Sequence, residues 1–214
     1  QALRSNTTAS AHTAIGYQAA YSTVNSTTYA ITALGYQAAR NTTSGTQSTA
    51  LGTQALYSNT TGSNVAVGNT ALYANTTGTA NTGIGMAALS TGSYNTAVGS
   101  EALETNAAGQ YNVALGKQAL TLNTSGSYNT GLGTDALLSN TTASYNTAVG
   151  YQAAYSNTTG TQNVALGRLA LLDNTTGGYN VALGNGSLEN NTTASENTAV
   201  GYQTLYTNTT GTPN

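Results

Sequence analysis

Apolar residues recur along this chain in short bursts and never in long runs. One burst is a Val, Leu or Ile held between Ala and Gly, as in Val181-Ala182-Leu183-Gly184. The other follows a Gln, as in Gln118-Ala119-Leu120. Polar Asn, Thr, Ser and Gly fill the intervals. A burst of about four residues suits a strand and is too short for a helix. The Gly that closes the first burst falls at Gly16, Gly35, Gly52, Gly68, Gly85, Gly99, Gly116, Gly133, Gly150, Gly167, Gly184 and Gly201. Its spacing runs 19, 17, 16, 17 and 14, then 17 six times over. A fixed period of this length marks a repeat architecture.

The consensus unit is Asn-[Thr/Val]-Ala-[Val/Leu]-Gly-x-[Gln/Ala]-Ala-Leu-x-x-Asn-Thr-Thr-Gly-x-Tyr. It predicts an all-β parallel β-solenoid of about twelve coils, mostly of 17 residues, each with two strands and two turns. Coils stack about 4.8 Å apart, for a rod of roughly 55–60 Å. The repeat fills residues 1–214, so one domain is expected, read as a piece of a longer fibre. The unit between Gly85 and Gly99, "MAALSTGSYNTAVG", has only 14 residues. It keeps both bursts, as Ala88-Leu89 and Ala97-Val98, and lacks the Asn-Thr-Thr section. A section that can be dropped reads as an outer loop. The framework Gly reads as a tight bend or a close approach between coils.

Two asparagines recur in each unit. One precedes the first burst: Asn64, Asn81, Asn95, Asn112, Asn129, Asn146, Asn163, Asn180 and Asn197. Stacked in a parallel solenoid, these would form a structural column bonded from coil to coil. The other opens Asn-Thr-Thr or a variant of it: Asn25, Asn41, Asn59, Asn75, Asn123, Asn140, Asn157, Asn174, Asn191 and Asn208. Each matches the N-x-[ST] acceptor for N-linked sugar, as do Asn6, Asn185 and Asn190. The repeat copies one match many times, so the count alone decides nothing. Periodic placement on a loop is the better argument for a stripe of covalent glycans, one broken between Asn75 and Asn123. A plain Asn-Thr turn accounts for the same residues.

Composition removes most other functions. Charged residues make up 5 % of the chain and the formal net charge is −2. Four cations cannot track a run of phosphates, which excludes nucleic acid. No apolar run approaches a membrane span, so no insertion is expected in this segment. There is no Cys, hence no disulfide framework. One histidine, His12, and six scattered carboxylates (Glu101, Glu104, Asp135, Asp173, Glu189, Glu196) form no catalytic or metal set. Calcium-binding β-roll repeats need an Asp in each unit, which is missing here. No catalytic, cofactor or metal residue is therefore assigned, and no cofactor is expected. Adjacent threonines such as Thr158 and Thr159 would point to opposite faces of a strand, which leaves ice binding a minor alternative. Tyr94, Tyr111, Tyr128, Tyr145 and Tyr179 share one repeat position, and Tyr57, Tyr73, Tyr155 and Tyr206 another. Ladders that stabilise stacking are expected; a sugar-binding strip is the alternative.

At "NTAVGYQ" and "NVALG" the chain resembles the head repeats of trimeric autotransporter adhesins, with their short "AIG" units. It resembles still more the "NTAVGYQALYSNTTG" repeats of bacterial and viral tail-fibre-like proteins. The likeness covers essentially the whole chain. It implies a left-handed parallel β-roll, a homotrimer and an extracellular adhesive or spacer role. Adhesin heads use 14-residue units, matched here only between Gly85 and Gly99. The expected function is a structural fibre segment at a cell or virion surface, self-associating as a homotrimer or an end-to-end filament. An adhesin or phage fibre shaft that binds a receptor or glycan is the alternative.

Overall fold

Each Ala-Val-Gly or Ala-Leu-Gly burst is a strand. In the computed structural model, which describes residues 1–5, 11–23, 30–43 and 47–211, these are β1 (Thr13–Ile15), β2 (Ile31–Leu34), β3 (Ser48–Leu51), β4 (Asn64–Val67), β5 (Asn81–Ile84), β6 (Thr96–Val98), β7 (Val113–Leu115), β8 (Thr130–Leu132), β9 (Thr147–Val149), β10 (Val164–Leu166), β11 (Val181–Leu183) and β12 (Thr198–Val200). The described residues contain no helix. The chain is a parallel β-solenoid, and it divides into two compact units, Gln1–Glu101 and Ala102–Asn214, where the even repeat predicts one. The division follows directly after the 14-residue coil.

In the first unit each of β1 to β6 pairs with the next in parallel, and in the second each of β7 to β12 does the same. The register sets like on like: Ala33 faces Ala50 and Ala165 faces Ala182. The strand Ala points into the coil and is fully buried at Ala50, Ala114 and Ala165. Its neighbours point outward, as the two-residue period of a strand requires. The outward face of the second unit is thus two columns. Val113, Thr130, Thr147, Val164, Val181 and Thr198 form one, and Leu115, Leu132, Val149, Leu166, Leu183 and Val200 the other. The first unit repeats the pattern with Thr32, Thr49, Val65 and Thr82 beside Leu34, Leu51, Val67 and Ile84. No charged residue interrupts either face.

The second burst corrects the two-strand expectation: it is a run of turns. Gln118 and Leu120 have φ of 58° and 55°, and every coil repeats such left-handed residues. A left-handed L-residue costs about 1–2 kcal/mol. The gain is that Ala119 and Leu120, neighbours in sequence, both point inward and are fully buried. An extended strand would have sent one of them to solvent. The backbone still bonds coil to coil there, from Leu120 N to Ala136 O and from Leu137 N to Ala153 O, each 3.0 Å. The thin core is therefore the strand Ala, the Ala-Leu pair and a set of asparagines.

The framework glycines have φ between 126° and 140°. A Cβ on Gly150 would lie 2.5 Å from the Gly167 carbonyl oxygen of the next coil. Both the conformation and the space require glycine there.

Candidate functional site

The Asn-Thr-Thr section is not an outer loop. Asn59, Asn75, Asn123, Asn140, Asn157, Asn174 and Asn191 are fully buried. All but Asn59 donate the side-chain amide to a backbone carbonyl three residues on, as from Asn157 Nδ2 to Gly160 O at 2.9 Å. In the same six, Nδ2 also donates to Oδ1 of the asparagine one coil earlier, as from Asn157 to Asn140 at 3.1 Å and Asn174 to Asn157 at 2.8 Å. The nitrogen that a glycan would occupy is thus a spent donor inside the core. Asn59 heads the column, and its Oδ1 accepts from Asn75 at 3.0 Å. This corrects the stripe of exposed acceptors. The reason is capacity: an amide offers two donors and an acceptor to a corner of the chain that is short of partners.

The remaining candidates sit elsewhere. Asn6 and Asn25 lie outside the described residues. In the coil that contains Asn41 the buried corner position belongs to Thr42, and Asn41 is half-buried, accepting from Arg40 at 3.3 Å. Asn208 is half-buried and donates to Gly211 O at 3.1 Å. Asn190 donates to Tyr206 O at 2.8 Å, and Asn185 is exposed.

Asn106 escapes the acceptor motif because Asn106-Ala107-Ala108 carries no hydroxyl residue. It is fully buried and occupies the same column, receiving Asn123 Nδ2 at 2.9 Å. The column thus tracks asparagine and ignores the acceptor motif. In the 14-residue coil no asparagine stands at this corner, and Asn75 Oδ1 is buried without a hydrogen-bond partner.

The second column, Asn64, Asn81, Asn95, Asn112, Asn129, Asn146, Asn163, Asn180 and Asn197, is at most 2 % exposed. Within each unit the backbone N–H of one member donates to Oδ1 of the member before it, as from Asn146 to Asn129 at 3.0 Å and Asn163 to Asn146 at 2.9 Å. The two columns share acceptors. Gly160 O receives both Asn146 Nδ2 and Asn157 Nδ2, each at 2.9 Å. Gly78, Gly126, Ala143, Gly177 and Ala194 repeat that arrangement. Both lone pairs of each such carbonyl are used.

His12 stands at the head of β1 in this same column, and its Nδ1 accepts from Ile31 N at 3.1 Å. The imidazole therefore does asparagine's work. Burial holds its pKa below the usual histidine value. Among the described residues no group of His, Cys, Asp or Glu could hold a metal ion, and no helix is long and apolar enough to cross a membrane.

The tyrosines form outer columns. Tyr111 stacks on Tyr128 at 5.0 Å and Tyr128 on Tyr145 at 5.1 Å, with planes 9° and 1° apart. Tyr57 and Tyr73 stack at 5.0 Å. Arg40 lies over the rings of both Tyr21 and Tyr57, at 5.4 and 5.6 Å, so the column alternates cation and ring. The first threonine of six of these sections is spent as well, as when Thr158 Oγ1 donates to Thr175 O at 2.9 Å.

No family model, no curated protein and no solved structure matches this chain.

Proposed function

We propose that the chain is a structural segment of an extracellular fibre, a rigid shaft that self-associates through the outward face of its strands. The observation that carries this reading is that face: two columns of Val, Thr, Leu and Ile in each unit, without a charge. Val113 and Leu115 remain 38 % and 49 % exposed. An apolar sheet face of that regularity is covered when copies meet. The homotrimer implied by the likeness to autotransporter heads is the expected state. Stiffness comes from the interior, where backbone and asparagine bonds join coil to coil within each unit. Low charge and a sequence without cysteine suit a passive load-bearing part at a cell or virion surface.

Sedimentation of the purified chain tests this. A three-copy particle is expected, and Leu115→Lys with Leu132→Lys should return it to single chains without altering the far-UV spectrum. A wild-type chain that stays single at high concentration would overturn the reading. The alternative of a receptor-binding shaft is supported by one irregularity in the tyrosine columns.

A further inference from the structure

That irregularity is at Gln162. The column running through Tyr111, Tyr128 and Tyr145 reaches Gln162 in the next coil and resumes at Tyr179. Rings in this column repeat every 5.0 to 5.1 Å. Tyr145 and Tyr179 are therefore two coils apart, about 10 Å along the column with Gln162 at the position between them, and neither has a ring against the face it turns toward Gln162. They are also the most exposed of the column, at 58 % and 59 %, against 45 % and 50 % for Tyr111 and Tyr128. Gln162 itself is exposed. The neighbouring column opens one coil on, beside Tyr179. It reads Ser127, Ser144, Thr161, Gly178 and Ser195, and Gly178 alone has no side chain. A Cβ there would meet Thr161 O at 3.0 Å and Thr161 Oγ1 at 3.8 Å.

We propose that this gap binds one pyranose ring of a glycan, held between the faces of Tyr145 and Tyr179, with the Gln162 amide and the Thr161 hydroxyl as its polar partners. An aromatic face carries negative potential and attracts C–H groups. Carbon contacts of about 3.5–4.0 Å on both sides of a chair fill most of the gap, and small rotations of two exposed tyrosines close the rest. The sandwich selects among sugars. A pyranose with all substituents equatorial, as in β-glucosides and β-N-acetylglucosaminides, presents axial C–H groups on both faces. A β-galactoside has an axial hydroxyl at C4 that spoils one of them. The site goes beyond the scaffold reading and does not depend on self-association.

The test is saturation-transfer NMR with methyl β-D-glucopyranoside, titrated into the intact chain to tens of millimolar. A millimolar Kd is expected, with the ring protons receiving the largest transfer. Gln162→Tyr completes the column with a residue that five other coils place at the same position, so it folds; it should abolish binding. Tyr179→Gln removes one face and should weaken binding about three- to tenfold. Methyl β-D-galactopyranoside should bind several-fold more weakly than the glucoside. Undiminished binding by Gln162→Tyr, equal binding of the two epimers, or no transfer to the wild-type chain would each overturn the proposal and leave the fibre reading standing.

Discussion

One asparagine amide carries two N–H donors and an oxygen with two lone pairs, and Asn157 uses both ends of its own. It donates to Asn140 and Gly160 and accepts from Asn174. Replacing Asn157 by Ala leaves Asn174 short of an acceptor in a dry corner, at a cost of about 2–4 kcal/mol. Thr159→Ala destroys the same N-x-[ST] motif and touches none of these bonds. It should leave the melting temperature and the intact mass, apart from the substitution itself, as they are, while Asn157→Ala lowers the melting temperature sharply; calorimetry and mass spectrometry check the pair. A larger mass loss in Thr159→Ala would mean that sugar does reach Asn157. The motif misled because a triplet records which residues are present and not which side of the chain they face. The informative residue was Asn106, where asparagine persists after both threonines are gone.

A strand with period-two burial was legible because small inward Ala and branched outward Val, Thr and Leu alternate without exception in β7 to β12, apart from Gly131. The turn run after it was not. Leu and Gln seldom adopt positive φ, so "QAL" reads as a strand by propensity, and only coil-to-coil bonding holds Leu120 at φ 55°. The framework Gly was legible for the same reason in reverse, since glycine recurring at a fixed period signals a backbone conformation that residues with a Cβ avoid. Gly150→Ala must displace the carbonyl of Gly167 and should cost more than about 3 kcal/mol. Gly131→Ala is the contrast. Gly131 lies in β8 where the other strands of its unit have Ala. A Cβ there meets Ala136 O at 3.2 Å and Leu120 Cγ at 3.4 Å, a crowding of a few tenths of an ångström that the neighbouring coils already accommodate around Ala114 and Ala148. The change should be neutral or stabilising by about a few tenths of a kcal/mol. Urea titration of the two variants separates them, and equal losses would refute the steric account.

Within each unit a coil is bonded only to its neighbours, so stability accumulates by nearest-neighbour steps. Removing residues 134–150 takes out one 17-residue coil of the second unit and joins Gly133 to Tyr151 in register. The shortened chain should fold with an unchanged far-UV spectrum and a modestly lower melting temperature. A chain that aggregates or unfolds would show that coils are not interchangeable. The repeat made the fold readable at this scale. It hid the interior gap at Gln162, because a consensus averages away departures such as this one and Glu196. The Asn-to-Asn column has one more consequence. Backbone bonds between coils run both ways, from Val113 N to Asn129 O and from Gly133 N to Leu115 O. The corner column runs one way only: in every coil from Asn123 to Asn191, Nδ2 points back and Oδ1 points forward. The threonine hydroxyls run the other way, and so do the amides of the second column, from Asn129 Nδ2 to Ala143 O and from Asn146 Nδ2 to Gly160 O. Within the corner column amide dipoles of about 3.5 D add head to tail. Each added coil of the second unit therefore extends two one-way chains of amides with opposite sense, side by side in the core.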